Sequence, residues 1–318
     1  MTTEAVAPRS GSWTSIAERG SILGMRFVVW CYRRLGRRFC QWLILPIVLY
    51  MFLTDRQGRR DSRHYLRRLY ARSGGPEALG GPPTWWRSFL HYWECGVSIL
   101  DRVGFWLGKG DEFSIGFHGE EEFTRLKAAG RGAIILGAHL GSFDALRVLA
   151  RRKQVIVNVV MFTEHARMIN SIFEALDRDA SLRVILLDAG SISSVFAIKA
   201  SIDRGELVAL LADRVGLGDD KRSGLVEFLG DRAAFPHGPI LLASLLKCPM
   251  LFMVALRTGD GRYDAFAERV ADKAVVDGPE DLDALVGDYA RRLERYCLMA
   301  PYQWFNFYDY WADDARTS

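Results

Sequence analysis

Ala133-Ile134-Ile135-Leu136-Gly137-Ala138-His139-Leu140-Gly141-Ser142-Phe143-Asp144 is the stretch on which the fold turns. A short apolar run ends at a glycine, passes through a bend that a second glycine permits, and enters a segment with helical spacing, Phe143–Arg152. A buried strand feeding directly into a helix is the unit of an α/β protein. It also brings His139 to the end of the strand. Asp144, five residues on, falls in the first helical turn, where it is expected to accept a hydrogen bond from one imidazole nitrogen and leave the other free as a base. Spacing alone leaves two plainer readings open: Asp in a first helical turn is favoured by the helix dipole, and His139 could be a satisfied buried histidine.

Working outward, four more apolar runs read as strands: Val155–Phe162, Val184–Asp188, Leu207–Ala212 and Leu251–Leu256. Most are followed by segments of helical period, which implies an α/β fold with a largely parallel or mixed sheet flanked by helices. Ligands of such sheets bind beyond the carboxyl ends of the strands. That rule selects His139, then 163–167 with Arg167 on a helix predicted over His165–Leu176, then Asp213 and Arg214. Asp213 and Arg214 suit either a cleft-edge ion pair or substrate contact. Arg167 suits an anion, and equally a solvated helix face. In Phe235-Pro236-His237-Gly238-Pro239, the turn opens a helix Pro239–Leu246, whose first amides, with Gly238, could receive an oxyanion. His237 reads as a turn histidine.

Upstream, Trp85–Gly108 carries an aromatic-rich helical stripe that is expected to be core. Residues 22–53 read as two helical stretches joined at Arg33, Arg34, Arg37 and Arg38. The apolar run Trp42–Leu53 is shorter than the roughly 20 residues needed to cross a bilayer, and Pro46 should kink it. An interfacial or shallowly inserted segment is therefore expected, with a buried helix pair as the bland alternative.

Charge separates two regions, 1–72 as a basic amphipathic membrane-associated segment and 73–318 as the catalytic domain. Residues 1–72 hold fourteen Arg, no Lys and four acidic side chains, so a net charge of +4 for the chain hides +10 at this end and −6 in the remainder. Because these arginines alternate with apolar and aromatic residues, they suit an anionic membrane surface rather than nucleic acid. A hydrophobic share of 49% excludes a disordered chain. Five scattered cysteines without a CxxC pair give no disulfide framework and no zinc site. Neither a phosphate-binding loop nor a dinucleotide fingerprint is present, so no cofactor and no metal is expected. The first twenty residues lack a secretory leader, which leaves the catalytic part in the cytoplasm.

The GAHLGSFD block resembles the HxxxxD motif of the lysophospholipid acyltransferase superfamily, and in particular its branch of bacterial lipid A late (lauroyl/myristoyl) acyltransferases. The stretch with Arg167 and Asn170, LLADR at 210–214, FPHGP at 235–239 and PYQWFNFYDYW at 301–311 follow in the order of that branch. Similarity is greatest to acyltransferases of aryl-polyene-type clusters, since LLADR and FPHGP depart from the lipid A enzymes proper. The resemblance implies a glycerolipid-acyltransferase-like fold and a cell inner membrane location, on the cytoplasmic face. It also implies transfer of a fatty or polyene acyl chain from acyl carrier protein or acyl-CoA to a hydroxyl or amine of a lipid or glycolipid acceptor. His139 would be the base, and Arg167, Arg214 and the backbone at Gly238 the oxyanion donors. A thioesterase with the same His-Asp pair and a non-catalytic lipid-binding protein are the rival readings.

Overall fold

The computed structural model describes residues 22–73, 76–162, 182–187, 192–215 and 222–311. Seven strands form one sheet: β1 (Ser114–His118), β2 (Ala133–Gly137), β3 (Val157–Phe162), β4 (Leu182–Leu187), β5 (Leu207–Leu211), β8 (Met250–Gly259) and β9 (Arg262–Ala271). Their order is β1-β9-β8-β2-β5-β3-β4, and every neighbouring pair is parallel except the hairpin β8–β9. A separate antiparallel hairpin, β6 (Ser223–Phe228) with β7 (Asp231–Pro236), follows β5.

Strand alternation sends side chains to two cores. Ile134, Leu136, Val208, Leu210, Phe252 and Val254 enter the larger one, while Ala133, Ile135, Leu207, Ala209, Leu251 and Met253 enter the other. The larger core is closed by α7 (Ile192–Asp203), α8 (Gly238–Leu246), α9 (Pro279–Met299), the β6–β7 hairpin and the aromatic C-terminal segment. Over the opposite face lie α5 (Glu120–Ala128) and α6 (Phe143–Arg152), and α6 packs on α4 (Trp85–Trp106). The short α3 (Pro76–Leu79) precedes α4.

The strand and helix at the quoted stretch fall at 133–137 and 143–152, as the pattern predicts. Ser142 is the reason α6 starts where it does: its hydroxyl accepts from the Ala145 amide at 3.2 Å. Gly141 has φ +70°, and a β-carbon there would meet the Ala255 carbonyl oxygen at 2.0 Å, so only glycine fits. Two expectations shift. The strand after β5 is an antiparallel hairpin rather than a helix among the described residues, and the last sheet strands are a longer antiparallel pair.

At the N-terminal end, α1 (Ile22–Thr54) and α2 (Arg56–Arg72) pack against α4. The break in α1 is at Gly36, with φ 79° and ψ 174°, and not at Pro46. The break falls inside the cluster Arg33, Arg34, Arg37 and Arg38, where two helical stretches were expected to join. Counted across it, Phe27–Thr54 is 28 residues long and apolar enough to cross a membrane by length and composition alone. Arg37, just past the break, reaches the wholly buried Asp101, donating through Nε at 2.7 Å, and Tyr263 donates to the same carboxylate at 2.6 Å. Tyr65, Leu66 and Leu69 of α2 join the larger core of the sheet.

Candidate active site

Strand register builds the centre of the site. β2 and β5 are adjacent and parallel, with Gly137 opposite Leu211, and the Ala212 amide extends the ladder by donating to the Gly137 carbonyl at 3.0 Å. Two residues beyond each partner stand His139 and Asp213. Strands lie roughly 4.8 Å apart, so their side chains must meet. His139 Nδ1 lies 2.8 Å from Asp213 Oδ1, and the His139 amide donates to Oδ2 at 3.0 Å.

Asp213 is fully buried, yet it is satisfied on all sides. Its Oδ2 also accepts from Trp304 Nε1 at 3.1 Å and Asn306 Nδ2 at 3.2 Å, while Tyr310 donates to its carbonyl at 2.6 Å. Burial alone would raise its pKa, but the His139 imidazole, the hydrogen bonds from the His139 ring and amide, and nearby Arg214 outweigh that and hold it well below the carboxylate range. A permanent carboxylate facing Nδ1 keeps the proton there and leaves Nε2 as the basic nitrogen. The imidazole itself has its pKa lowered, by burial first, with Arg214 and Arg102 opposing the pull of Asp213. It is therefore neutral at neutral pH, and with 29% of its side chain exposed it remains open on one side.

The C-terminal segment clamps this loop. Phe305 donates its amide to the His139 carbonyl at 2.8 Å, and Gly141 donates to the Gln303 carbonyl at 2.9 Å. Trp304 is itself fixed from behind: its carbonyl lies 2.8 Å from Nε2 of the buried His91, whose Nδ1 is 3.1 Å from the Ser62 hydroxyl. Burial pushes the His91 pKa down to about 4, so this histidine is a neutral strut rather than an acid or base. The aromatic C-terminal segment thus serves the site by holding Asp213.

Asp144 does not take the place expected for it. Its Oδ2 receives Arg102 Nε at 2.9 Å and its Oδ1 receives Trp106 Nε1 at 2.9 Å, with Arg147 Nε 3.8 Å away. Its position in the first turn of α6 turns it toward α4, whereas the register of β2 and β5 delivers Asp213 to the imidazole. Arg214 donates to Asn306 Oδ1 at 2.7 Å and to the Phe305 carbonyl at 3.0 Å, so it tethers the C-terminal segment. Gly238 begins α8, and among the described residues no hydrogen bond joins it to His139 or Asp213. His237 lies 3.8 Å from Asp283 of α9. Arg167 and its predicted helix lie outside the described residues. Arg102 and Trp106 went unread because they sit in the aromatic stripe of α4; their i, i+4 spacing on one helix face was the available signal. Cys95, one helical face back from Arg102, has its thiol pushed up to about 11 by burial and is no nucleophile at neutral pH.

With the histidine at a strand end and the chain order of the surrounding blocks established, comparison with known families becomes informative. The model for bacterial lipid A biosynthesis acyltransferases matches residues 101–312, well over half of the chain. The chain belongs to that family. Family membership carries acyl transfer to a lipid acceptor as the coarse activity, and the matched span holds β1 to β9, His139, Asp213 and the C-terminal clamp. No curated protein matches the chain.

Proposed function

We propose that this protein moves a fatty acyl chain, or a polyene one, from an acyl thioester to a hydroxyl or amine of a lipid or glycolipid, with His139 as general base. The observation that carries the reading is the His139–Asp213 contact at 2.8 Å, with Nε2 left free beside an open surface. Nε2 takes the proton of the acceptor as its oxygen or nitrogen attacks the thioester carbonyl. The tetrahedral intermediate then collapses, the C–S bond breaks, and the thiolate leaves with the proton that His139 had taken. The products are an ester or amide and a free thiol, with no covalent enzyme intermediate. Asp213 orients the imidazole and stabilises its charged form in the transition state. Arg167 and the backbone at Gly238 stay candidates for the oxyanion.

The donor we favour is acyl carrier protein, with acyl-CoA as the other candidate; Arg56, Arg60 and Arg67 are exposed on α2 and would suit an acidic carrier. Residues 1–72 would seat the catalytic domain on the cytoplasmic face of the inner membrane. Trp42 is 76% exposed, Tyr50 63% and Trp86 64%, an apolar surface too large to leave in water.

Purified protein given an acyl-carrier thioester and lipid acceptors should form acyl lipid, and His139→Ala should form none while melting as the wild type does. Release of free fatty acid with no acylated lipid would replace this reading by hydrolysis. Full transfer by His139→Ala would end it.

A further inference from the structure

Two arginines near the site commit both ends of the guanidinium to one carboxylate. Arg37 gives Asp101 both Nε and Nη2, at 2.7 and 3.0 Å, and only 9% of its side chain is exposed. Arg257 grips Glu94 through Nε and Nη2 in the same fork. Arg102 does not. It donates to Asp144 through Nε alone, because the second carboxylate oxygen is already taken by Trp106 Nε1. Among the described residues its two terminal nitrogens donate to no protein group, and 45% of its side chain is exposed while Asp144 shows only 7%.

The electrostatics of the cluster point the same way. Asp144 is itself fixed from a second side, with the buried Arg147 Nε 3.8 Å from Oδ1, so the carboxylate that holds Arg102 is not free to turn away from it. Arg102 lies close enough to oppose protonation of His139, after burial itself. Asp144, which holds Arg102, lies in the first turn of the helix that follows the His139 loop, so the guanidinium is anchored on the element next to the reacting residue. A planar pair of N–H donors, fixed from behind by a buried carboxylate and an indole, fits a phosphate oxygen pair. The ring of Trp106 lies under it, 6.0 Å from ring centroid to the guanidinium carbon.

The geometry points to Arg102 as a binding residue for a phosphate group of a substrate, with Asp144 and Trp106 as its positioning residues. This rests on the acyl-transfer reading for the identity of the substrates, and it gives the aspartate of the HxxxxD spacing a duty other than orienting the histidine. Phosphate could arrive on either substrate: on the pantetheine arm of the donor, or on the headgroup of the acceptor.

Binding calorimetry on the full-length protein in neutral detergent micelles separates the sources. The probes are two matched pairs, 4′-phosphopantetheine against pantetheine, and lysophosphatidic acid against monoacylglycerol. The wild type should prefer the phosphorylated member of one pair about tenfold or more, the scale of one charge-assisted hydrogen-bonded contact. Arg102→Ala should erase that preference, Arg102→Lys should keep part of it, and Trp106→Phe should weaken it by loosening the support. His139→Ala should bind all four probes as the wild type does, so loss of transfer and loss of phosphate binding are independent results. Equal wild-type binding within both pairs overturns the proposal. So does a preference that survives in Arg102→Ala, or that is undiminished in both Arg102→Lys and Trp106→Phe should the alanine variant not fold. A fall in turnover with the preference intact would assign Arg102 to the developing oxyanion and overturn it equally.

Discussion

Two buried aspartates flank the His139 loop, and their surroundings assign them different work. Asp213, beyond β5, is surrounded by neutral donors from the C-terminal segment and by one imidazole. Asp144, in the first turn of α6, is surrounded by arginines and an indole. A carboxylate whose hydrogen-bond donors, apart from the imidazole, are neutral keeps its charge for the histidine, whereas a carboxylate gripped by guanidinium groups spends it on holding them in place. The difference comes from topology: one is delivered by a parallel strand pair, the other by a helix turned toward α4. Distance along the chain is a poor guide to which aspartate is the partner.

The largest effect that can break the comparison is expected from Asp213→Asn. Oδ2 accepts from three N–H groups, so the amide oxygen of Asn must take that side and its NH2 must face Nδ1. That forces the proton onto Nε2, the nitrogen that has to be the base. Turnover should fall by about 10³–10⁴-fold with folding preserved, the scale for an imidazole locked in the wrong tautomer. Asp144→Asn should instead raise the Michaelis constant for the phosphorylated substrate by about tenfold, with a smaller change in turnover. If steady-state kinetics gave the two variants the same profile, the division of labour would be wrong.

pH sharpens the contrast. His139 has its pKa lowered from 6.5, by burial first and then by Arg214 and Arg102, so the acid limb of kcat/KM should lie below 6.5. Removing a positive charge raises that pKa, and the limb in Arg102→Gln should therefore move upward. Stability follows the same sign. Below 6.5 the unfolded chain binds a proton at this histidine that the native site resists, so stability should begin to fall as pH drops through that value. The contribution of Asp213 is present above its unfolded value of 3.8 and is lost only as pH falls from there towards its depressed native value. Urea titrations across pH read both. The smallest effect on catalysis is expected from Trp304→Phe, which removes one of the donors to Asp213 and leaves a cavity among the rings around it; catalysis should fall only several-fold, with about 2–3 kcal/mol of stability lost.

What was legible in the sequence was local. β2, α6 and their junction were readable to the residue because a buried run, a glycine bend and an N-cap serine act within twelve positions. Strand β9 was hidden, since its buried side chains include Ala265 and Ala267, which give little apolar contrast to alternate with charges. Asp213 was found at a strand end, but its pairing with His139, 74 positions earlier, depends on β2 lying beside β5, and strand order leaves no mark on spacing. Arg102 was invisible for a related reason: a helix rich in Trp and Phe reads as core, and only the packing of α4 on α6 turns that one face toward the site.

The clamp by residues 303–310 has a consequence for how the protein is made. Translation releases the apolar α1 first, then the histidine, and supplies Trp304, Asn306 and Tyr310 only at the far end of the message. Until those residues leave the ribosome, Asp213 lacks three of the hydrogen-bond donors that hold it. Chains are synthesised at roughly 5–20 residues per second, so the nascent chain spends on the order of tens of seconds with its apolar helix available and its histidine unsupported. On the proposed reading the apolar helix can be seated before the base is assembled, and a chain cut short before residue 303 should show no transfer.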